Sequence, residues 1–216
     1  MKFIFFYSQL YEYYYSHIYK NISSVFDLEA IKIDNLNNYS THTFWGGVSI
    51  KIELVIQKIK ENLGQSIIFT DATIFINSNN VDKLFNFFNL YIDNDLCFVD
   101  ENHYNNIGII LIKCNEKTLT FFENILHELI DKKGWDQQVI NEHLKNNSNL
   151  KINRFDKEKI CCGWDFNPMY KDTFLIYKSF IHHDTNIINN FNMRLDIFKN
   201  AGLISEEEYN VNKQYI

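Results

Sequence analysis

The chain has 216 residues, 46% of them hydrophobic, 22% charged and 16% aromatic, with 19 Phe, 13 Tyr, 7 Gly and one proline, enough length and apolar content for one domain with a buried core. Its formal net charge of −6 argues against a general nucleic-acid binder, which presents a basic face. No run approaches the ~20 apolar residues of a membrane helix, and Lys2 to Tyr7 is shorter than a signal-peptide core of about 7–15 residues, so the expectation is a soluble, cytoplasmic protein without a membrane span.

Apolar runs of strand length alternate with helix-period segments through the first two thirds, the pattern of an α/β sheet. Lys2 to Tyr7 reads as a first strand, Glu12 to Ile22 as a tyrosine-rich helix and Leu28 to Ile33 as a second strand, followed by a polar, turn-like stretch from Asp34 to Thr43. Ile52, Val55, Ile56, Ile59 and Leu63 recur at helical spacing from Ser49 to Leu63, and Gly64 ends that helix. In this reading Trp45-Gly46-Gly47 forms a turn and Lys51 opens the helix behind it.

A buried-looking strand then ends on Asp71, before a second apolar run at Ile74-Phe75-Ile76. A helix is expected over Val81 to Leu90, a strand over Leu96 to Val99, and an unusually apolar strand, suited to a sheet centre, over Ile107 to Lys113. Asn115 can cap a helix over Lys117 to Ile130, and another starts near Trp135-Asp136 with an acid in its first turn. Beyond Leu150 the pattern degrades: Cys161 to Tyr170 reads as a loop, Phe174 to Ile181 contains a strand, Ile187 to Asn200 is a helix, and Ser205-Glu206-Glu207-Glu208 starts a terminal helix. The cysteines at 97, 114, 161 and 162 show no two-residue spacing and read as reduced thiols.

Several polar residues fall at strand ends and helix starts, where α/β folds collect ligands. Asp71 can recruit a cation that neutralises negative charge developing on a leaving group, or simply cap a turn. Lys51 can meet phosphate oxygens beside helix amides, or be a solvated lysine. Asn106 and Gly108 precede the apolar strand, where an exposed amide can bond a ligand and glycine permits close approach; the pair can equally be a turn. Asp136 can accept a proton as general base or cap its helix. His182 and His183, as neighbours on a strand, face opposite ways, so one of them can bind a metal or a phosphate.

Four segments in this order resemble the nucleotide-diphospho-sugar transferase superfamily, the GT-A type of glycosyltransferase, including small versions from large DNA viruses and bacteria. Ile67-Ile68-Phe69-Thr70-Asp71-Ala72-Thr73 is placed like the family's Asp-x-Asp strand. Asn105-Asn106-Ile107-Gly108 is similar to its Asn-x-Gly strand, Gly134-Trp135-Asp136-Gln137 to its Asp-Gln helix start, and Phe180-Ile181-His182-His183-Asp184 to its C-terminal histidine segment.

The resemblance implies one Rossmann-like GT-A domain over residues 1–216, with a central mixed, mostly parallel sheet flanked by helices. It divides into a nucleotide-binding half (about 1–115), a sugar and acceptor half (about 116–200) and a C-terminal helix (201–216). Implied is a hexosyl- or deoxyhexosyltransferase that moves a sugar from a nucleotide-diphosphate donor to a carbohydrate hydroxyl, retaining or inverting, in the host cytoplasm if the source is viral. Asp136 and Gln137 are its catalytic candidates. Tyr7, Ser8, Lys51, Asp71, Ala72, Thr73, Asn106, Gly108 and His183 would contact the donor. A divalent cation, Mn2+ or Mg2+, would be held by Asp71, Thr73, His182 and His183, although Thr73 replaces the second carboxylate of Asp-x-Asp and a hydroxyl is a poorer hard-cation ligand. A non-catalytic sugar-nucleotide or glycan-binding relative and a metal-assisted hydrolase are the alternatives.

Overall fold

The computed structural model describes residues 1–7, 11–33, 44–77, 80–102, 104–132, 134–146, 149–162, 173–177, 195–196, 199–200, 202 and 204–213. The strands among the described residues are β1 (Lys2–Tyr7), β2 (Asp27–Lys32), β3 (Ser66–Asp71), β4 (Ile74–Ile76), β5 (Leu96–Glu101), β6 (Tyr104–Lys113), β7 (Ile152–Arg154), β8 (Ile160–Cys162) and β9 (Leu175–Tyr177). The helices among the described residues are α1 (Glu12–Ile22), α2 (Phe44–Glu61), α3 (Val81–Asn89), α4 (Glu116–Lys132), α5 (Asp136–Asn146) and α6 (Glu206–Lys213).

Six strands form one sheet in the order β2-β1-β3-β6-β5-β7. Only β6 runs against the rest, so the sheet is mixed and mostly parallel, as expected. Strand alternation sorts its side chains onto two cores. Phe3, Phe5, Ile68, Ile109 and Leu111 pack with Ile18 and Phe88 of α1 and α3. Ile4, Ile67, Phe69, Ile110 and Ile112 pack with Ile52, Val55 and Ile59 of α2 and Phe122 and Ile125 of α4. Burial on both faces explains why β6 reads as a near-continuous apolar run.

Local signals hold in several places. Asn115 Oδ1 accepts the Thr118 N–H at 3.0 Å and Thr118 Oγ1 accepts the Asn115 N–H at 3.2 Å, a reciprocal cap for α4. Gly64 follows α2 with φ 81, a conformation glycine adopts without strain. Cys97, Cys114 and Cys161 are buried free thiols, and burial pushes the Cys114 thiol up to about 12.

Two expectations are corrected. The helix expected from Ser49 begins at Phe44, so Gly46 and Gly47 lie within α2 and not in a turn before it; its apolar face, buried against the sheet, outweighs the roughly 1 kcal/mol that each helical glycine costs. Cys161 and Cys162, expected to open a loop that runs to Tyr170, instead lie in β8, and β7 precedes it as a further three-residue strand too short to carry a period. The turn at Asp34 to Thr43, most of the helix at Ile187 to Asn200, Ser8, His182 and His183 lie outside the described residues.

Strands β4, β9 and β8 form a second sheet, in that order, placing β4 at an edge. His17 of α1 covers it: the buried ring stacks on Phe75 with centroids 4.4 Å apart, and its Nε2 accepts the Ile76 N–H at 3.0 Å. This bond anchors the chain just beyond Asp71-Ala72-Thr73. Replacing His17 by Leu strands a buried N–H, which costs about 1–3 kcal/mol. The expectation is a lower urea midpoint for His17→Leu; a midpoint equal to wild type would contradict the bond's role.

Candidate functional site

The site grows from an irregularity in β6. Phe98 faces Ile110 while the next residue, Val99, faces Asn106, so Ile107, Gly108 and Ile109 bulge out between neighbouring β5 positions. On the other side, pairing with β3 stops at Thr70 opposite Ile109, one residue short of Asp71. A bulge leaves ladder groups unpaired and bends the strand, and here side chains from three directions take those groups up. Asn106 Oδ1 accepts the Gly108 N–H at 2.8 Å, a side-chain-to-backbone turn of the kind Asn favours. Gln137 Oε1 accepts the Ile107 N–H at 3.4 Å. Lys51 Nζ donates to the Ile107 carbonyl at 2.9 Å.

Lys51 also joins Asp71, with Nζ 2.7 Å from Oδ1 and side-chain exposures of 6% and 23%. An ammonium this buried needs an anion and hydrogen-bond acceptors to offset its lost hydration; Asp71 and the bulged carbonyl supply both. Lys51 sits about two turns inside α2, so helix N-terminal amides do not explain its place. Its packing position on α2, under β6 and beside the carboxyl end of β3, does.

Asp136 opens α5, and its Oδ1 accepts the Gln137 N–H at 2.8 Å. Burial raises its carboxyl above the ordinary value; Lys51 pulls the other way, and the negative Asp71 adds to the rise. Lys51 from α2, Asp71 from β3 and Asp136 from α5 therefore share one electrostatic field, although 20 and 65 residues separate them in the sequence.

Glu101, absent from the sequence-based candidates, ties the motifs together. Its Oε2 accepts from Asn106 Nδ2 at 2.8 Å and from Gln137 Nε2 at 3.1 Å. The signal available was the same as for Asp71, an acid at a strand end, but β5 was expected to stop at Val99. Behind it, Asn141 Oδ1 takes the Asn105 N–H at 3.0 Å and Asn141 Nδ2 reaches the Gln137 carbonyl at 2.7 Å.

The other expected residues take varied places. Asn106 is 1% exposed with both amide atoms bonded inside the protein, so the exposed amide expected there is not found. Gly108 lies in the bulge, within β6 and not before it. Tyr7 ends β1, but its ring is buried in a stack with Tyr15, centroids 4.9 Å apart. Ala72 is buried and Thr73 half-buried just past Asp71. Among the described residues no three His, Cys, Asp or Glu side chains gather as a metal-binding group. Asp71, already paired with an ammonium, and Thr73 do not by themselves fit a divalent ion.

The model of the family described as nucleotide-diphospho-sugar transferase matches residues 48–191. A search of the curated proteins finds no match. Among solved structures, a glycosyltransferase involved in glycosylation of the major capsid of PBCV-1 superposes with TM-score 0.64 at 11% identity, over 90% of this chain and 98% of that one. The glycosyltransferase GlyE of Streptococcus pneumoniae TIGR4 gives 0.59 at 10% identity, over 98% of this chain and 61% of that one. The galactosyltransferase LgtC, in complex with donor and acceptor sugar analogs, gives 0.52 at 11% identity, over 98% and 100%. At these identities the superpositions speak for the fold.

Lys51→Met removes the cation while leaving Asp71 and the Ile107 carbonyl behind. Breaking a buried pair costs about 3–5 kcal/mol, and the partial exposure of Asp71 places the loss toward the lower end. Asp71→Asn in the same chain should then cost less than in wild type, because its partner is already gone. Urea denaturation of both single variants and the double variant checks this; strictly additive losses would contradict the coupling.

Proposed function

We propose a donor site and a catalytic base from one premise: the chain belongs to the nucleotide-diphospho-sugar transferase family and is a glycosyltransferase of the GT-A type, using a nucleotide-diphosphate sugar. The diphosphate lies at the carboxyl end of β3, against Asp71, Thr73 and the Lys51 ammonium, with the nucleoside toward the end of β1 at Tyr7. Residues 1–115 supply most of this donor side and residues 116–200 the sugar and acceptor side. The observation that carries the reading is that Lys51 joins Asp71 to the β6 bulge, with Asp136 in the field of both charges.

The chemistry follows from charge. As the bond from the sugar's anomeric carbon to the diphosphate breaks, its electron pair leaves with the diphosphate, and a fixed cation nearby stabilises that developing charge. Lys51 has three N–H donors, of which Asp71 and Ile107 engage two; the third is aimed, in this reading, at a phosphate oxygen. A carbohydrate hydroxyl attacks the anomeric carbon. In an inverting reaction its proton passes to Asp136, whose raised pKa makes it a stronger base than an ordinary carboxylate. In a retaining one Asp136 orients the donor, and Gln137 beside it bonds the reacting sugar. A divalent cation would need ligands beyond Asp71 and Thr73, for which the sequence offers His182 and His183.

Asp136→Asn should lower transfer by about 10²–10⁴-fold, the usual contribution of a general base, while the donor still raises the melting temperature. Folding holds the Asp136 proton more tightly than the unfolded chain does. Stability from this group is therefore complete below the ordinary carboxyl value and is lost as pH rises through the raised one. Asp136→Asn should accordingly melt higher than wild type at pH 7, with the gain shrinking as pH falls toward the ordinary carboxyl range. Wild-type transfer rates in this variant would sink the base assignment. For the cation, Thr73→Asp should show a larger manganese-induced thermal shift than wild type; equal shifts would remove Thr73 from the cation's surroundings.

A further inference from the structure

One oxygen of Glu101 joins two elements. At the end of β5, its Oε2 accepts from Asn106 Nδ2 on β6 at 2.8 Å and from Gln137 Nε2 on α5 at 3.1 Å. Both amides give their oxygens to the bulge, Asn106 to the Gly108 N–H and Gln137 to the Ile107 N–H. A primary amide carries its acceptor at one end and its donors at the other, so these bonds decide which way each amide faces.

The two amides are held unequally. Asn106 is 1% exposed and its oxygen makes a 2.8 Å bond. Gln137 is half-buried, and its bond to Ile107 is long, at 3.4 Å. A hydrogen bond to a carboxylate is roughly twice as strong as one between neutral groups, so Glu101 is the firmer of the two side-chain ties. The Gln137 backbone is fixed separately, its N–H by Asp136 and its carbonyl by Asn141. What Glu101 controls at Gln137 is the side-chain amide.

We propose that Glu101 is a positioning residue for sugar transfer, acting through Gln137 by holding its amide so that the remaining Nε2 N–H faces the reacting sugar. Of the two N–H groups on Nε2, one goes to Glu101, and the other meets no partner among the described residues. The role rests on the reading of Asp136 and Gln137 as the sugar side of the site. It also fixes the chemistry of the contact: Gln137 offers a donor, so the sugar must present an accepting oxygen to it. An ionised carboxylate only accepts, which keeps the amide from turning over. Reach matters equally, because the same oxygen must meet both β6 and α5; aspartate, one methylene shorter, withdraws it from Gln137.

The test compares Glu101→Asp, which keeps the charge but loses the reach, with Glu101→Gln, which keeps the reach and an accepting oxygen. A reacting group misplaced by roughly 1 Å costs on the order of 10²-fold in rate. Glu101→Asp should therefore lower kcat and kcat/KM together by about 10²-fold, the mark of an interaction made only in the transition state. Glu101→Gln should lose less, and nucleotide-induced thermal shifts should match wild type in both. Because the effect runs through Gln137, Glu101→Asp added to Gln137→Ala should slow transfer no further. Additive losses, a smaller loss for aspartate than for glutamine, a raised KM with unchanged kcat, or a weakened nucleotide shift would each overturn the proposal. NMR of the Gln137 side-chain amide in the ligand-free chain separates it from the reading beneath it. Signals that move on Glu101→Asp in a protein whose wild type transfers no sugar would overturn the transfer reading and this role with it. Unmoved signals in an active transferase would refute the Glu101 role alone.

Discussion

A lysine ammonium buried in the α2 face of the sheet is the constraint around which the rest is arranged. Lys51 is 4% exposed, and a charge so placed is tolerated only with a compensating anion and well-formed hydrogen bonds. Asp71 meets the first need and the carbonyl of Ile107 the second. That carbonyl is available because β6 bulges there, and the bulge persists because Asn106 and Gln137 occupy its other free groups. Strand, bulge, lysine and the amino end of α5 form one interlocked unit.

Such a unit is costly to build into a core. Desolvation raises the Asp136 carboxyl against the pull of Lys51, so charge is held where an apolar contact would be more stable. Function sites commonly carry groups perturbed in this way. The surroundings offset the cost: two apolar layers clamp the sheet on either side, and Glu101 and Asn141 fix the amides that touch the bulge. The rigid frame holds the reacting groups in place before substrate arrives, which is where electrostatic catalysis gains most.

The long, strongly periodic parts of this arrangement were legible in the sequence. The face of α2, the two-sided burial of β6 and the cap at Asn115 follow from spacing alone, and the resemblance singled out Asp71, Asn106, Gly108, Asp136 and Gln137. Less legible was what those residues do to one another. Asn-x-Gly reads as an exposed amide at a strand that lines the sugar site, yet its asparagine turns inward to bond Gly108 and Glu101, because a bulge is a relation between two strands and leaves no period in either. Lys51 was singled out for the wrong local reason, since Gly46-Gly47 signals a turn that tertiary packing overrides. Glu101 acts through a partner 36 residues away, beyond any local pattern, and β7 and β8 are too short to show one.

The most direct test of the central claim is a thermal-shift panel of UDP, GDP, dTDP and CDP, with and without manganese, on wild type and Lys51→Met. At a hundredfold excess over the dissociation constant a ligand adds about 2.7 kcal/mol, or about 5–10 °C for a chain of this size. A shift with one nucleotide in wild type that largely disappears in Lys51→Met is the predicted result. No shift with any nucleotide, or one that Lys51→Met leaves intact, would contradict a donor diphosphate bound by the Lys51 ammonium.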